Sequence, residues 1–328
     1  MLKQIKKWSS LGCVSLGLVL GGITQAQAAY PEKPVKLVVN YPAGGYIDIV
    51  SRLVGEYASN KIGQPVIIEN RPGAAGAVGG QYVARQPADG YTFLMGLDTL
   101  YTVNPYVYKN MNFSPTEDLE PISRVGSFNQ VLLARSGTNI NSLEEFLAAS
   151  KDKSMFYSSS GVGTPGHLAM EMFNQTLSLD NEHAPYAGNA AAAQALLRGD
   201  VEVGFLAIGV NFQYIGSGDF VPLATSGLQR DERIPNVLTL QETGVQELSD
   251  FHVEMGHVMM APKGTDAEVM QLWSQLIAEA FADPEIHQKL ISFNLIPSTS
   301  SPEQTRTYLD KEAQRWQQVV ETAGISLD

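Results

Sequence analysis

Apolar residues recur along this chain in two alternating rhythms. Short runs such as Val35-Lys36-Leu37-Val38-Val39 and Val66-Ile67-Ile68 read as buried strands, with a third over residues 91–95. Between the first two, Ile49, Val50, Leu53, Val54 and Tyr57 repeat at helical spacing. This predicts a helix over residues 49–60, with Asp48 at its N-cap and Gly63 closing its far end. The small-residue segment 74–84 predicts another helix. Three later helices are marked by capping boxes: Ser142 with Glu145, Thr265 with Glu268, and Ser301 with Gln304 behind Pro302. After Thr265, the stripe Val269, Leu272, Trp273, Leu276, Ile277 and Ala280 reads as core packing. Alternating strands and helices predict α/β layers. The length exceeds one comfortable core, yet no Pro/Gly/Ser-rich tether divides it. Two lobes joined through strands are therefore expected, with crossings near residues 126–131 and 225–227.

The first residues break this rhythm and change the compartment. Lys3, Lys6 and Lys7 precede an uncharged apolar run over residues 11–23, and Ala26-Gln27-Ala28 supplies a small-x-small cleavage pattern. Residues 1–28 read as a signal peptide, so a soluble, exported chain beginning at Ala29 is expected in the periplasm. The run is too short to span a bilayer, which takes roughly 20 residues. Cys13 is the single cysteine. It lies inside the apolar run, whereas a lipidation cysteine follows such a run. The mature chain is therefore expected to hold no disulfide and no thiol nucleophile. Losing the three lysines takes the net charge from −12 to about −15. That balance argues against nucleic-acid binding, and an anion would have to be held by local donors rather than by long-range attraction.

Three loops that leave strands and enter helices carry the candidate chemistry. The first is Tyr41-Pro42-Ala43-Gly44-Gly45-Tyr46-Ile47-Asp48. Its glycines permit close backbone approach to a ligand, and the helix start favours negative charge. The second, Ser158-Ser159-Ser160-Gly161-Val162-Gly163-Thr164-Pro165-Gly166-His167, offers N–H and hydroxyl donors. It contains a formal GxGxxG, but it lies in mid-chain, no acidic strand end follows at the required distance, and an exported protein meets little free dinucleotide. The third, Tyr186-Ala187-Gly188-Asn189, enters an alanine-rich helix. Taken singly, each loop is as readily an ordinary connection. Enzymatic signatures are sparse: no GxSxG or HExxH occurs, and the five histidines show no zinc spacing beyond a wide His252/His257 pair. Ser160 with His167 is a conceivable nucleophile and base, with no orienting acid in view. No enzyme activity, catalytic residue, metal or cofactor is expected.

Several segments, in order along the chain, resemble the Bug family of substrate-binding proteins of tripartite tricarboxylate transporters. They include Tyr30-Pro31-Glu32-Lys33-Pro34-Val35, Tyr41-Pro42-Ala43-Gly44-Gly45 with Asp48 and Arg52, and Glu69-Asn70-Arg71-Pro72-Gly73-Ala74. Pro87-Ala88-Asp89-Gly90-Tyr91-Thr92, Ser159-Ser160-Gly161 with His167-Leu168-Ala169, Pro185-Tyr186-Ala187-Gly188, Pro235-Asn236-Val237-Leu238-Thr239 and Ala261-Pro262-Lys263-Gly264-Thr265 continue the series. The resemblance implies a type II periplasmic-binding-protein fold, an α/β architecture whose two lobes hold a ligand in the cleft between them. Residues 29–126 and 227–328 would form lobe 1, and residues 127–226 lobe 2. It also implies a small organic carboxylate ligand, captured by hinge closure. Carried over by position, lobe 1 would contact it through Tyr41, Ala43, Gly44, Gly45, Tyr46 and Asp48, with Gly96, Asp98 and Thr99 beside them. Lobe 2 would contribute Ser159, Ser160, Gly161, Gly163, Thr164 and His167, with Tyr186, Gly188 and Asn189. The expected partners are membrane permease subunits, or a sensor kinase, around a monomeric binding protein. Three positions depart from the family. Small residues are common where Tyr46 and Ile47 stand, a tryptophan at Gly256, and a lysine at Ala187. They bear on which carboxylate is bound.

Overall fold

The computed structural model describes residues 30–293 and 295–326, apart from the side chains of Tyr46 and Val210. The segment read as a signal peptide lies outside the described residues. Among the described residues, ten strands form the framework: β1 (Val35–Val39), β2 (Val66–Asn70), β3 (Thr92–Leu97), β4 (Leu119–Arg135), β5 (Phe156–Ser159), β6 (Glu182–Pro185), β7 (Val203–Ala207), β8 (Phe220–Thr225), β9 (Glu254–Pro262) and β10 (Ile296–Thr299). Their order is β2-β1-β3-β9-β4-β7-β5-β6, with β8 and β10 also pairing β4.

β4 explains how one chain builds two lobes without a tether. Its 17 residues extend about 55 Å at ordinary strand rise, too long for a single small sheet. From Leu119 to Asn129 it pairs antiparallel with β9, and from Gln130 to Ala134 with β7. β1, β2 and β3 run parallel on one side, as do β5, β6 and β7 on the other. Parallel strands are covered on both faces, which is why Val35, Leu37, Val38 and Val39 are all fully buried, with only Lys36 interrupting the apolar run.

One core gathers Val50, Val54, Phe93, Met259, Trp273 and Ile277; a second gathers Leu132, Tyr157, Leu168, Phe173 and Phe205. The last helix, Pro302–Ala323, straps across: its Leu309 packs with Val38 and Leu94, whereas Trp316 and Val320 belong to the second core. Among the described residues no helix is long and apolar enough to cross a membrane.

Local expectations are met with instructive shifts. Gly63 ends the first helix in the left-handed conformation (φ 69°), and Ser301 with Gln304 forms the full capping box. The first helix, however, spans Tyr46–Ile62 with Gly45 at its N-cap, so Asp48 stands in the first turn rather than before it. Near residue 265 the cap is Asp266, whose carboxylate accepts from Glu268 N–H at 2.7 Å, while the Thr265 hydroxyl turns back to Pro262 O. The segment 74–84 divides into a turn of 3₁₀ helix, Ala74–Gly76, and a helix Ala77–Ala84. Glycines at its start relieve contact with Asn40, whose amide would lie 2.3 Å from a Cβ at Gly76.

Candidate functional site

The first and second loops are built on one plan. In the first, the Asp48 carboxylate accepts from Gly44 N–H at 2.9 Å, four residues back, at a turn where Gly44 holds φ +81°. The same carboxylate takes Arg52 Nε and Nη2 at 3.0 and 2.9 Å and Asn70 Nδ2 at 2.9 Å. Asn70 Nδ2 also reaches the Tyr41 carbonyl at 3.2 Å. Burial alone would raise the Asp48 pKa, but Arg52, the Gly44 N–H and Asn70 outweigh it, and the carboxyl sits below its ordinary value. Asp48 is therefore a saturated anion behind the loop, holding it in shape.

In the second loop His167 takes the equivalent place. Its Nδ1 accepts from Gly163 N–H at 3.0 Å, again four residues back, where Gly163 holds φ +71°. That bond fixes a neutral imidazole with its proton on Nε2, 3.8 Å from Glu171 Oε1. The Thr164 hydroxyl donates to Gly161 O at 2.6 Å and closes the turn. Behind it, His167 stacks on His183 with ring centroids 3.8 Å apart, and His183 stacks on Tyr157 at 4.9 Å. His183 Nε2 lies 2.7 Å from Ser159 Oγ, and the Tyr157 hydroxyl donates to Glu171. The third loop hangs on the second: Tyr186 N–H and Gly188 N–H donate to Ser159 O and Ser160 O.

Burial and the neighbouring His183 draw the His167 pKa down to about 3, and burial draws His183 down to about 4. Both lie below the ordinary 6.5, so the unfolded chain binds more protons as pH falls through the window from 6.5 toward 4. The neutral pair stabilises the fold above that window and loses this contribution on acidification. At pH 5 the loss is about 2 kcal/mol per histidine. Burial raises Glu171 and Asp98, which act in the opposite direction, so parent and variant must be compared. Denaturant unfolding of His183→Gln should show a pH 7 to pH 5 drop smaller than the parent's by about 2 kcal/mol. An unchanged drop would contradict the assignment.

Between the loops lies a cavity of about 390 Å³. Tyr41, Pro42, Gly45 and Ile47 line it from the first loop, Ser160, Thr164 and Pro165 from the second, and Asn189 from the third. Asn189 Oδ1 is occupied by Ala207 N–H at 3.1 Å, leaving its NH₂ as the free polar end. A side pocket of about 60 Å³ shares Tyr41, Leu97, Thr164 and Pro165 and reaches Thr99, Gly163, Asn104 and Tyr108. Tyr41 is pushed up to about 12 by burial, partly offset by the Thr99 hydroxyl, so it is a neutral phenol. No described residue lining either space is Lys, Arg, Asp or Glu.

Of the residues expected at the site, the structure thus brings Tyr41, Gly45, Thr99, Ser160, Gly163, Thr164 and Asn189 onto these walls. Asp48, Ser159 and His167 stand behind the loops, and Ala43 and Gly44 face away at the exposed turn. Gly161 and Gly188 shape turns at φ +132° and +98°. Tyr186 packs against the core with Val131 and Leu206. Gly96 makes way for the Asn40 amide, 2.8 Å from where a Cβ would stand. Asp98 is buried, its Oδ2 accepting from Gly256 N–H at 2.6 Å; burial pushes its pKa up to about 7. A side chain at Gly256 would begin 3.0 Å from that carboxylate. The Tyr46 side chain lies outside the described residues. Sequence reasoning missed Phe128, Gln130, Ala207, His257 and Leu295, which complete the cavity wall with Ile47 and Leu97. It also paired Ser160 with His167, but the histidine is spent on Gly163 and His183 behind the loop.

The family described as "Tripartite tricarboxylate transporter family receptor", TctC, matches residues 50–325. The chain belongs to this receptor family. The TctC relatives include BugT of Bordetella pertussis, 29% identical over 97% of this chain and 98% of that protein. Two solved structures superpose well. Rpa4515 of R. palustris with adipate is 28% identical, with TM-score 0.78 over 91% of this chain and 100% of that one. MatC of Rhodopseudomonas palustris with bound malate is 25% identical, with TM-score 0.72 over 89% and 100%. The fold is the two-lobed α/β fold of periplasmic solute-binding proteins. The family is one of transporter receptors, and further neighbours at 28% and 25% identity are described as a periplasmic binding protein, BugD, and a TctC solute binding protein from Polaromonas.

Proposed function

We propose that this TctC-family protein captures a small organic carboxylate in the cavity between the first and second loops and delivers it, in the periplasm, to the permease subunits of a tripartite transporter. The observation that carries the reading is the shared plan of the loops. Each ends at a helix start, where first-turn N–H groups lack intrahelical acceptors and favour an anion. Each is held from behind by a side chain in its helix's first turn, Asp48 or His167. With no Lys or Arg on the wall, a carboxylate would be held by such N–H groups and by the Ser160 and Asn189 donors, as charge-assisted hydrogen bonds. The adipate and malate in the two similar structures support the ligand class.

Closure follows from β4. The change of partner between Asn129 and Gln130 supports lobe boundaries near residues 126/127 and 226/227. Gly126, at φ +92° and packed on Leu295, is the proposed flexing point. Hinge motion there would bring the loops onto one ligand and exclude water.

Thermal unfolding against a panel of mono-, di- and tricarboxylates tests the reading. At a ligand concentration near 100 times Kd, binding to the folded state alone adds about 2.7 kcal/mol and raises the midpoint. At least one acid should do so. A response to a sugar or cation with none to any acid would overturn the reading.

A further inference from the structure

Apart from the loops, the cavity is lined by strand residues, Phe128 and Gln130 from β4 and His257 from β9, with Leu295 ahead of β10. His257 is only 2% exposed, and its Nδ1 is buried with no hydrogen-bond partner. Leaving such a group unpaired costs about 1–3 kcal/mol unless something compensates. The ring leans on Phe128, centroids 5.6 Å apart. Asp98, just beyond the β3 residue that pairs with His257, directs Oδ2 to Gly256 N–H, and its Oδ1 is buried without a partner. Burial draws the His257 pKa down to about 4, so at neutral pH it is an uncharged imidazole. Because no partner fixes Nδ1, the ring is free to adopt either tautomer and so to offer a donor or an acceptor.

The two ends of the cavity differ in what they can hold. The loop end has helix-start N–H groups and hydroxyls suited to an anion. The His257 end has an aromatic ring, a leucine, a neutral amide and a neutral imidazole. A second carboxylate placed there would give up its hydration for no cation, which costs several kcal/mol. Adipate, the six-carbon diacid held by one of the two similar structures, sets the chain length for the comparison.

We propose that His257 is a specificity-determining residue, which reads an uncharged hydrogen-bonding group at the ligand's distal end and selects acids with one carboxylate over diacids of equal length. The proposal rests on the carboxylate-binding reading above and goes beyond it, since the two similar structures hold diacids.

Titration calorimetry on the mature chain at pH 7.5, with hexanoate, 6-hydroxyhexanoate and hexanedioate, tests it. The hydroxy acid should bind about tenfold or more tighter than either of the others, the worth of one well-placed hydrogen bond. His257→Phe, which keeps a ring but no polar atom, should bind hexanoate and its hydroxy analogue equally. His257→Gln should retain part of the preference and carries the comparison if the Phe variant does not fold. Tightest binding of the diacid, or a preference for the hydroxyl unmoved by both substitutions, would overturn the assignment while leaving carboxylate capture intact. Binding of none of the three, with no response in the wider acid panel, would overturn both.

Discussion

Gly166→Ala is expected to cost about 3 kcal/mol of stability, lower the unfolding midpoint by roughly 5 °C, and weaken ligand binding with it. A Cβ at this position would stand 2.0 Å from the carbonyl oxygen of Phe205 and 3.1 Å from its carbon. Both are backbone atoms of β7, in the middle of the second core, and neither can swing aside. Helix Pro165–Leu177 would have to lift away from the sheet. Thr164 and Pro165, which line both the cavity and its side pocket, would move with it. Gly216 provides the control. It has open space around it and lies inside helix Ile208–Ser217, where alanine is favoured by up to about 1 kcal/mol. Thermal scans of the two variants should therefore diverge in opposite directions. Equal stability of Gly166→Ala and Gly216→Ala would refute the close-packing argument.

Asp48→Ala is expected to cost about 2 kcal/mol and to weaken carboxylate binding about tenfold. The substitution strands the Gly44 N–H and Asn70 Nδ2, both held at 2.9 Å, and frees the Tyr41 carbonyl anchor that Asn70 supplies. Arg52 is half exposed, so losing its pair contributes little of this. Most of the effect comes from the loop's shape, since Asp48 does not line the cavity. Asp48→Asn keeps one acceptor oxygen and should recover part of both losses. Calorimetry with the best acid of the panel measures the effect, and wild-type affinity in Asp48→Ala would show that the loop needs no support from behind.

The first three strands and the three loops were legible because each carries a local signal. β1 and β2 are mostly apolar runs between turn residues, and the loops cluster glycines with hydroxyl and amide donors just before a helix. The formal GxGxxG was legible too, with a different meaning: its third glycine serves close helix–strand contact, as Gly166 against Phe205 shows. The roles of Asp48 and His167 were harder to read. Both lie four residues after a glycine whose N–H they hold, and that spacing tells a supporting group from a ligand contact only once the backbone is in place. Asp48 was misplaced as an N-cap because Tyr46-Ile47 reads as loop, whereas Ile47 is 4% exposed and already helical. The far wall had the weakest signal. Phe128, Gln130 and His257 sit in β4 and β9, whose other residues are mostly buried core, and Leu295 is brought in from a distant connection. Two polar residues beside apolar runs, Gln130 before Val131-Leu132-Leu133-Ala134 and His257 before Val258-Met259-Met260-Ala261, were the available hint.

The central claim is that two separately pinned loops close on one carboxylate. Hydrogen exchange read by mass spectrometry, with and without the tightest acid of the panel, tests it most directly. Peptides covering residues 42–48 and 159–167 should gain protection together on addition of the acid, and Asp48→Ala should diminish the gain in both. Protection confined to one loop, or appearing elsewhere while both loops exchange as before, would contradict the clamp.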